Sequence, residues 1–191
     1  MLNGFKDFLA LLVLAALAIS TMANAALSED WNSYSPAHTL GSGDNDWWGA
    51  YPDQNTDSGM TVEHLSWIEE ALQEKPVLIL IHSSDCIPCM VQVPRINSAL
   101  KSYGLNISYY DIIAEGKGLQ KAMGILDVYN PAGGDEQQYV PTTIFVTLIE
   151  GSDGEVDVAW HSQTDIMSDD EINSYTKDAI YYYNQNAAGW K

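Results

Sequence analysis

Apolar positions follow two different periods along most of the chain. Val62, Leu65, Ile68 and Leu72 recur at helical spacing between Thr61, a candidate N-cap, and Pro76, which ends the run. Directly after it, Val77-Leu78-Ile79-Leu80-Ile81 is apolar at every position, which suits a strand covered on both faces in the middle of a sheet. Helical spacing returns with Val93, Ile96 and Leu100 and stops at Gly104, a candidate C-cap. Residues 107–112 alternate loosely as a second strand, Leu119 to Leu126 form a short helix, and a loop containing Asn130-Pro131-Ala132-Gly133-Gly134 follows. Ile144 to Leu148 and Val156 to Trp160, joined by a turn with Asp153-Gly154, read as a β-hairpin. Ser168-Asp169-Asp170-Glu171 is a capping box, and Ile172, Tyr175, Ala179 and Tyr183 line one face of the last helix. From the fully apolar run onward, the predicted order is β-α-β-α-β-β-α.

The beginning of the chain reads differently. Lys6 precedes an unbroken apolar stretch from Phe8 to Ile19, and Ala23-Asn24-Ala25 is a small-x-small site, so residues 1–25 are expected to be a signal peptide cleaved after Ala25. The twelve apolar residues cover about 18 Å at helical rise, against about 30 Å for a hydrocarbon core, so no membrane span is expected after cleavage. The mature protein is therefore expected to be secreted or otherwise extracytoplasmic. Residues 26–60 are rich in Ser, Gly, Asp and Asn but carry Trp31, Tyr34, Trp47, Trp48 and Tyr51. We read them as an irregular N-terminal extension that lays some of these rings against the surface of a domain spanning 61–191. Asp44-Asn45-Asp46 resembles the start of a calcium loop, yet Trp48 and Asn55 stand where further oxygen ligands belong.

Charge and cysteine count narrow the function classes. With 26 acidic against 8 basic side chains in 191 residues, the formal charge of -18 repels phosphate backbones and excludes nucleic-acid binding. Partners are expected to be proteins or small molecules. Two cysteines and four scattered histidines do not supply a zinc ligand set, so no metal and no organic cofactor are expected.

The two cysteines form Cys86-Ile87-Pro88-Cys89, placed on the turn from the apolar strand into the following helix. Lys75-Pro76 precedes that strand, Pro94 follows the second cysteine by five residues, and Val140-Pro141-Thr142 leads into the hairpin. These four features in register, over about residues 61–185, resemble the thioredoxin superfamily. The resemblance implies a three-layer α/β fold, a central mixed sheet flanked by helices, and a cis bond at Pro141 packed against the cysteine pair. Val140, Pro141 and Ile87 would then contact the substrate polypeptide.

In such a site Cys86 is the nucleophile, favoured as thiolate by the helix N-terminus, and Cys89 resolves the mixed disulfide. Pro88 stiffens the turn where its missing N–H costs nothing. Asp85 can cap the helix, though its charge opposes a Cys86 thiolate, and His82 is a second modulator of the pair. Leu80 stands where family reductases carry a buried carboxylate, and residues 128–139 form an extra loop expected to border the site. The reading is a secreted thiol-disulfide oxidoreductase acting on protein thiols or disulfides outside the cytoplasm, with an unidentified redox partner. The alternative is a non-enzymatic interaction module in which Cys86-Cys89 is a structural disulfide.

Overall fold

The continuous apolar run becomes β1 (Val77–His82), an interior strand of the computed structural model, which describes residue 31, residues 33–133 and residues 139–191. β1 is followed by α2 (Ile87–Tyr103), β2 (Ser108–Ile113), α3 (Leu119–Tyr129), β3 (Thr142–Glu150), β4 (Val156–Thr164) and α4 (Asp169–Asn186); α1 (Ser66–Ala71) precedes it. The sheet order is β2-β1-β3-β4, with β1 parallel to β2 and antiparallel to β3, and β3 antiparallel to β4. A parallel neighbour needs a crossover, and α2 supplies it between β1 and β2.

Alternation along β1 divides the interior into two cores. Val77, Ile79 and Ile81 pack with Ile68 of α1 and Ile125 and Tyr129 of α3, whereas Leu78 and Leu80 pack with Ile96 of α2 and Ile172, Tyr175 and Ala179 of α4. Burial on both faces is why no polar residue interrupts this strand. The Ser168 capping box starts α4 as expected: the Ser168 side chain accepts from Glu171 N–H, and the Glu171 carboxylate accepts from Ser168 N–H.

Two compact units divide between residues 34 and 35. In the first, Trp31 and Tyr34 meet edge to face with centroids 5.6 Å apart. The second, Ser35–Lys191, contains every element named above. Within it Trp47 and Trp48 do not lie on the surface; both are fully buried. Trp48 exchanges both backbone hydrogen bonds with Trp160 of β4, at 2.8 and 2.9 Å. This single bridge gives the two residues strand-like alternation, so Trp47 enters the core beneath α4 and Trp48 the opposite core. The loop after α3 is held by the same stretch, where Asn55 Nδ2 donates to Asn130 O and Thr56 N–H to Ala132 O. Gly133 there has φ +71°, and a Cβ on it would sit 2.3 Å from Asn55 Oδ1, so only glycine fits.

Several expectations are corrected. Thr61 caps nothing: residues 61–65 are not helical, α1 begins at Ser66, and Val62 is carried into the core. The same extended segment brings His64 against α3: its Nδ1 lies 2.9 Å from Tyr129 Oη, and burial pushes the pKa of the ring down to about 4. Gly104 closes α2 with φ -60°, a right-handed rather than left-handed cap. The buried stripe of α2 is Cys89, Gln92, Ile96 and Ala99, rotated from the Val93-Leu100 line. The expected signal peptide falls outside the described residues, and among those described no helix is long and apolar enough to cross a membrane.

His161 gives the fold a pH dependence. Its ring stacks on Tyr175 at 3.9 Å, and Nδ1 lies 3.0 Å from the Asp46 carbonyl, which can only accept, so Nδ1 donates. Burial lowers its pKa to about 4. A histidine depressed on folding contributes stability above its unfolded pKa of about 6.5, and that contribution is lost as pH falls toward 4. We expect His161 alone to cost about 3 kcal/mol between pH 7 and pH 4. Urea midpoints of wild type and His161→Gln across this range check it: wild type should lose the additional stability, and equal losses would refute a neutral buried ring.

Candidate redox site

The register of the sheet assembles the site. Ile81 pairs with Thr142 and Thr142 with Thr164, so the residues after β1, before β3 and after β4 meet at one end of the sheet. Parallel pairing of His82 with Ile113 brings the end of β2 to the same place. α2 starts there, and the cysteine pair occupies its first turn.

Cys86 and Cys89 form a disulfide with an S–S distance of 2.09 Å. Cys86 is the N-cap: its Sγ accepts from Cys89 N–H at 3.1 Å, the bond a serine or aspartate oxygen makes at other helix starts. Asp85 therefore does not cap the helix; it lies one residue outside and is exposed. Pro88 occupies the first turn without leaving a donor unpaired. The two sulfurs differ in access, for Cys86 is half-buried and Cys89 is 1% exposed. The Val140–Pro141 bond is cis, and the Val140 carbonyl oxygen lies 3.5 Å from Cys86 Sγ. In the disulfide that sulfur has no proton to give; the reduced thiol can donate across the same distance.

Around the pair the surface is apolar. Ile87 is 71% exposed and Met90 63%, with Val91 and Tyr139 also exposed. Behind it, a cavity of about 310 Å³ is lined by Cys89, His82, Ser83, Ser84, Met90 and Val93 among others. His82 Nε2 lies 2.7 Å from Asp111 Oδ1, and the strand-to-helix turn is tied by Ser84, whose N–H and hydroxyl both reach the Glu115 carboxylate. Leu80 is buried in the core beneath α2 and α4 and offers no acid or base.

Gln92, Glu115 and Thr143 were not singled out from the sequence. Gln92 is fully buried, donating from Nε2 to Thr143 Oγ1 at 2.8 Å and accepting Met167 N–H at 3.0 Å, so it links α2, β3 and the segment before α4. Its spacing from Cys89 and Ile96 was the available signal. The loop after α3 starts at Asn130 rather than residue 128, because α3 continues through Tyr129.

No protein-family model and no curated protein sequence matches the chain. Among solved structures, a thiol:disulfide interchange protein of the thioredoxin family from Chlorobium tepidum is 14% identical, with 59% of this chain and 84% of that one covered and a TM-score of 0.40. An exposed lipoprotein thioredoxin from Streptococcus pneumoniae is 16% identical (58% and 89% covered, TM-score 0.39). A secreted disulfide oxidoreductase from Mycobacterium tuberculosis is 18% identical (56% and 84% covered, TM-score 0.34). The assignment rests on the chain itself: with strand order β2-β1-β3-β4, helices on both faces, a Cys-x-x-Cys pair where β1 turns into α2, and a Val-Pro loop before β3 facing it, the chain is a thioredoxin-fold protein.

Proposed function

We propose that the protein is a thiol-disulfide oxidoreductase acting on cysteines of other proteins outside the cytoplasm. The observation that carries this reading is the asymmetry of the pair: Cys86 is accessible beside an apolar ledge and the Val140 carbonyl, while Cys89 is buried behind it. A purely structural disulfide gains nothing from placing one sulfur at the surface among exposed Ile87, Met90 and Tyr139, whereas a partner polypeptide needs such a ledge.

In the reduced protein the helix N-terminus and the Cys89 N–H favour a Cys86 thiolate. The thiolate attacks one sulfur of a partner disulfide; that S–S bond breaks, a mixed disulfide forms, and the released partner thiolate takes a proton from water. Cys89 then gives up its proton, for which His82 is the base lining the same cavity, and attacks Cys86 Sγ. The second partner thiolate leaves. Two electrons have passed to the partner and the Cys86–Cys89 disulfide is restored; read backwards, the steps oxidise a partner dithiol. Val140 and Pro141 align the partner backbone in this reading, and the negative charge of Asp85 opposes the thiolate and so favours the disulfide over the reduced form relative to a neutral residue.

Equilibration against glutathione and dithiothreitol mixtures, with free thiols counted, tests the proposal. A reduction potential between about -120 and -270 mV supports an exchanging pair. A value well below about -300 mV would make the bond structural and leave the fold as an interaction module.

A further inference from the structure

Cys89 must lose its proton before it can resolve a mixed disulfide, and its burial keeps bulk water from taking that proton directly. Leu80, in the core beneath α2 and α4, offers no acid or base. Strand alternation supplies one. Leu78 and Leu80 point into that core, so His82, two residues on, points the same way, toward the helix whose buried stripe starts at Cys89. On β2, Tyr109 packs against the same core, and Asp111, which pairs with Leu80 in the parallel register, shares its face. Ring and carboxylate meet there, with His82 Nε2 2.7 Å from Asp111 Oδ1. The two partners are not equivalent, for the His82 side chain is 14% exposed and that of Asp111 51%. His82 lines the cavity of about 310 Å³ together with Cys89, whereas Asp111 stands outside it. A carboxylate only accepts, so Nε2 donates to it and the lone pair of the ring is left on Nδ1. Among the described residues Nδ1 has no hydrogen-bond partner.

We propose that Asp111 is a positioning residue that fixes His82 in the tautomer with a basic Nδ1 and so makes it the proton acceptor for Cys89. The inference rests on the redox reading above and deepens it. In the mixed disulfide the Cys89 S–H proton passes to Nδ1, directly or through one water, for which a cavity of this size has room. The imidazolium keeps its Nε2–H on Asp111, which accepts that hydrogen bond and takes no proton. The Cys89 thiolate then attacks Cys86 Sγ, and the bond from Cys86 to the partner sulfur breaks. The partner thiolate leaves with the electron pair and recovers the proton from His82 by way of solvent. The other charged groups near the ring are Glu115 and Asp85. Glu115 is taken up by the Ser84 N–H and hydroxyl, and Asp85 does not line the cavity. From α2 the cavity receives only Met90, Val93 and Pro94 besides Cys89.

The experiment mixes the reduced protein with a neutral pyridyl disulfide and follows the released thione in a stopped-flow spectrometer. A first phase, whose rate scales with reagent concentration, reports attack by Cys86; a second, independent of concentration, reports resolution by Cys89. We expect Asp111→Asn to slow the second phase about tenfold at pH 7 and the first much less, and His82→Gln to slow the second about 10²-fold. Asp111→Ser should behave as Asp111→Asn does, without the donors of the amide. Because Asp111 acts through the ring, the double variant should be no slower than His82→Gln alone. Raising the pH from 7 to 9 increases the unaided thiolate by up to about 10²-fold, so both deficits should shrink to about twofold. Equal second phases in wild type and the Asp111 variants overturn the assignment. So does a deficit that adds to that of His82→Gln or persists unchanged at pH 9, which would leave the pair a structural clasp between β1 and β2. A wild type that releases no second thione overturns the redox reading as well.

Discussion

Trp48→Ala should lower the free energy of unfolding by about 4 kcal/mol, within the range of about 3–5 found when a buried tryptophan or phenylalanine is truncated. The side chain is 1% exposed, its centroid lies 4.9 Å from that of Trp160 and 4.6 Å from that of His161, and its Nε1 donates to Gly43 O at 2.8 Å. Alanine keeps the backbone bonds to Trp160 but leaves a void between two rings and removes one of the two hydrogen bonds to the Gly43 carbonyl, which still accepts from Asp46 N–H. Urea unfolding at pH 7 measures this as a lower midpoint at unchanged slope. A loss under about 0.5 kcal/mol would return residue 48 to surface decoration and sever the segment from the core.

Cys86→Ser and Cys89→Ser should both reduce turnover of a protein disulfide by about 10³-fold or more, since a serine hydroxyl is not ionised at neutral pH and cannot replace a thiolate. They should differ in what accumulates. Cys89→Ser retains the accessible nucleophile and lacks the group that resolves the mixed disulfide, so a covalent complex with the partner should build up on a non-reducing gel and vanish with dithiothreitol. Cys86→Ser leaves only a sulfur that is 1% exposed, and no such complex should form. Both variants lack the disulfide, so loss of the cross-link cannot account for the difference. Trapping by Cys86→Ser instead would reverse the assigned roles.

Where local pattern and tertiary environment agree, the fold could be read from the chain. The unbroken run at Val77 to Ile81 suits an interior strand, the Ser168 box suits a helix start, and the Cys-x-x-Cys after the strand falls on the turn that carries the candidate site. What escaped lies where tertiary contacts override local signal. Two residues, Trp47 and Trp48, carry a single alternation, too short to register as a strand within a Gly- and Asp-rich stretch. Thr61 has the form of a cap, yet the pull of Val62 into the core and the His64–Tyr129 bond keep the chain extended. β4 runs on to Thr164 through His161, Ser162 and Gln163, polar residues that hide a strand end because they line a pocket. Gln92 escaped as a polar residue on a buried stripe whose value lies in partners distant in sequence.

The bridge between Trp48 and Trp160 also bears on how the protein behaves when crowded among copies of itself. β4 is an outer strand of the sheet and nine residues long. Such a border is a template on which another chain can lay a strand, and repeated addition leads to fibrils. By occupying the Trp160 donor and acceptor, the stretch before α1 interrupts that border at its middle and leaves no long uninterrupted row for a neighbour to copy. A protease cut in this stretch would therefore damage more than packing: it would uncover an assembly surface that the intact chain keeps closed.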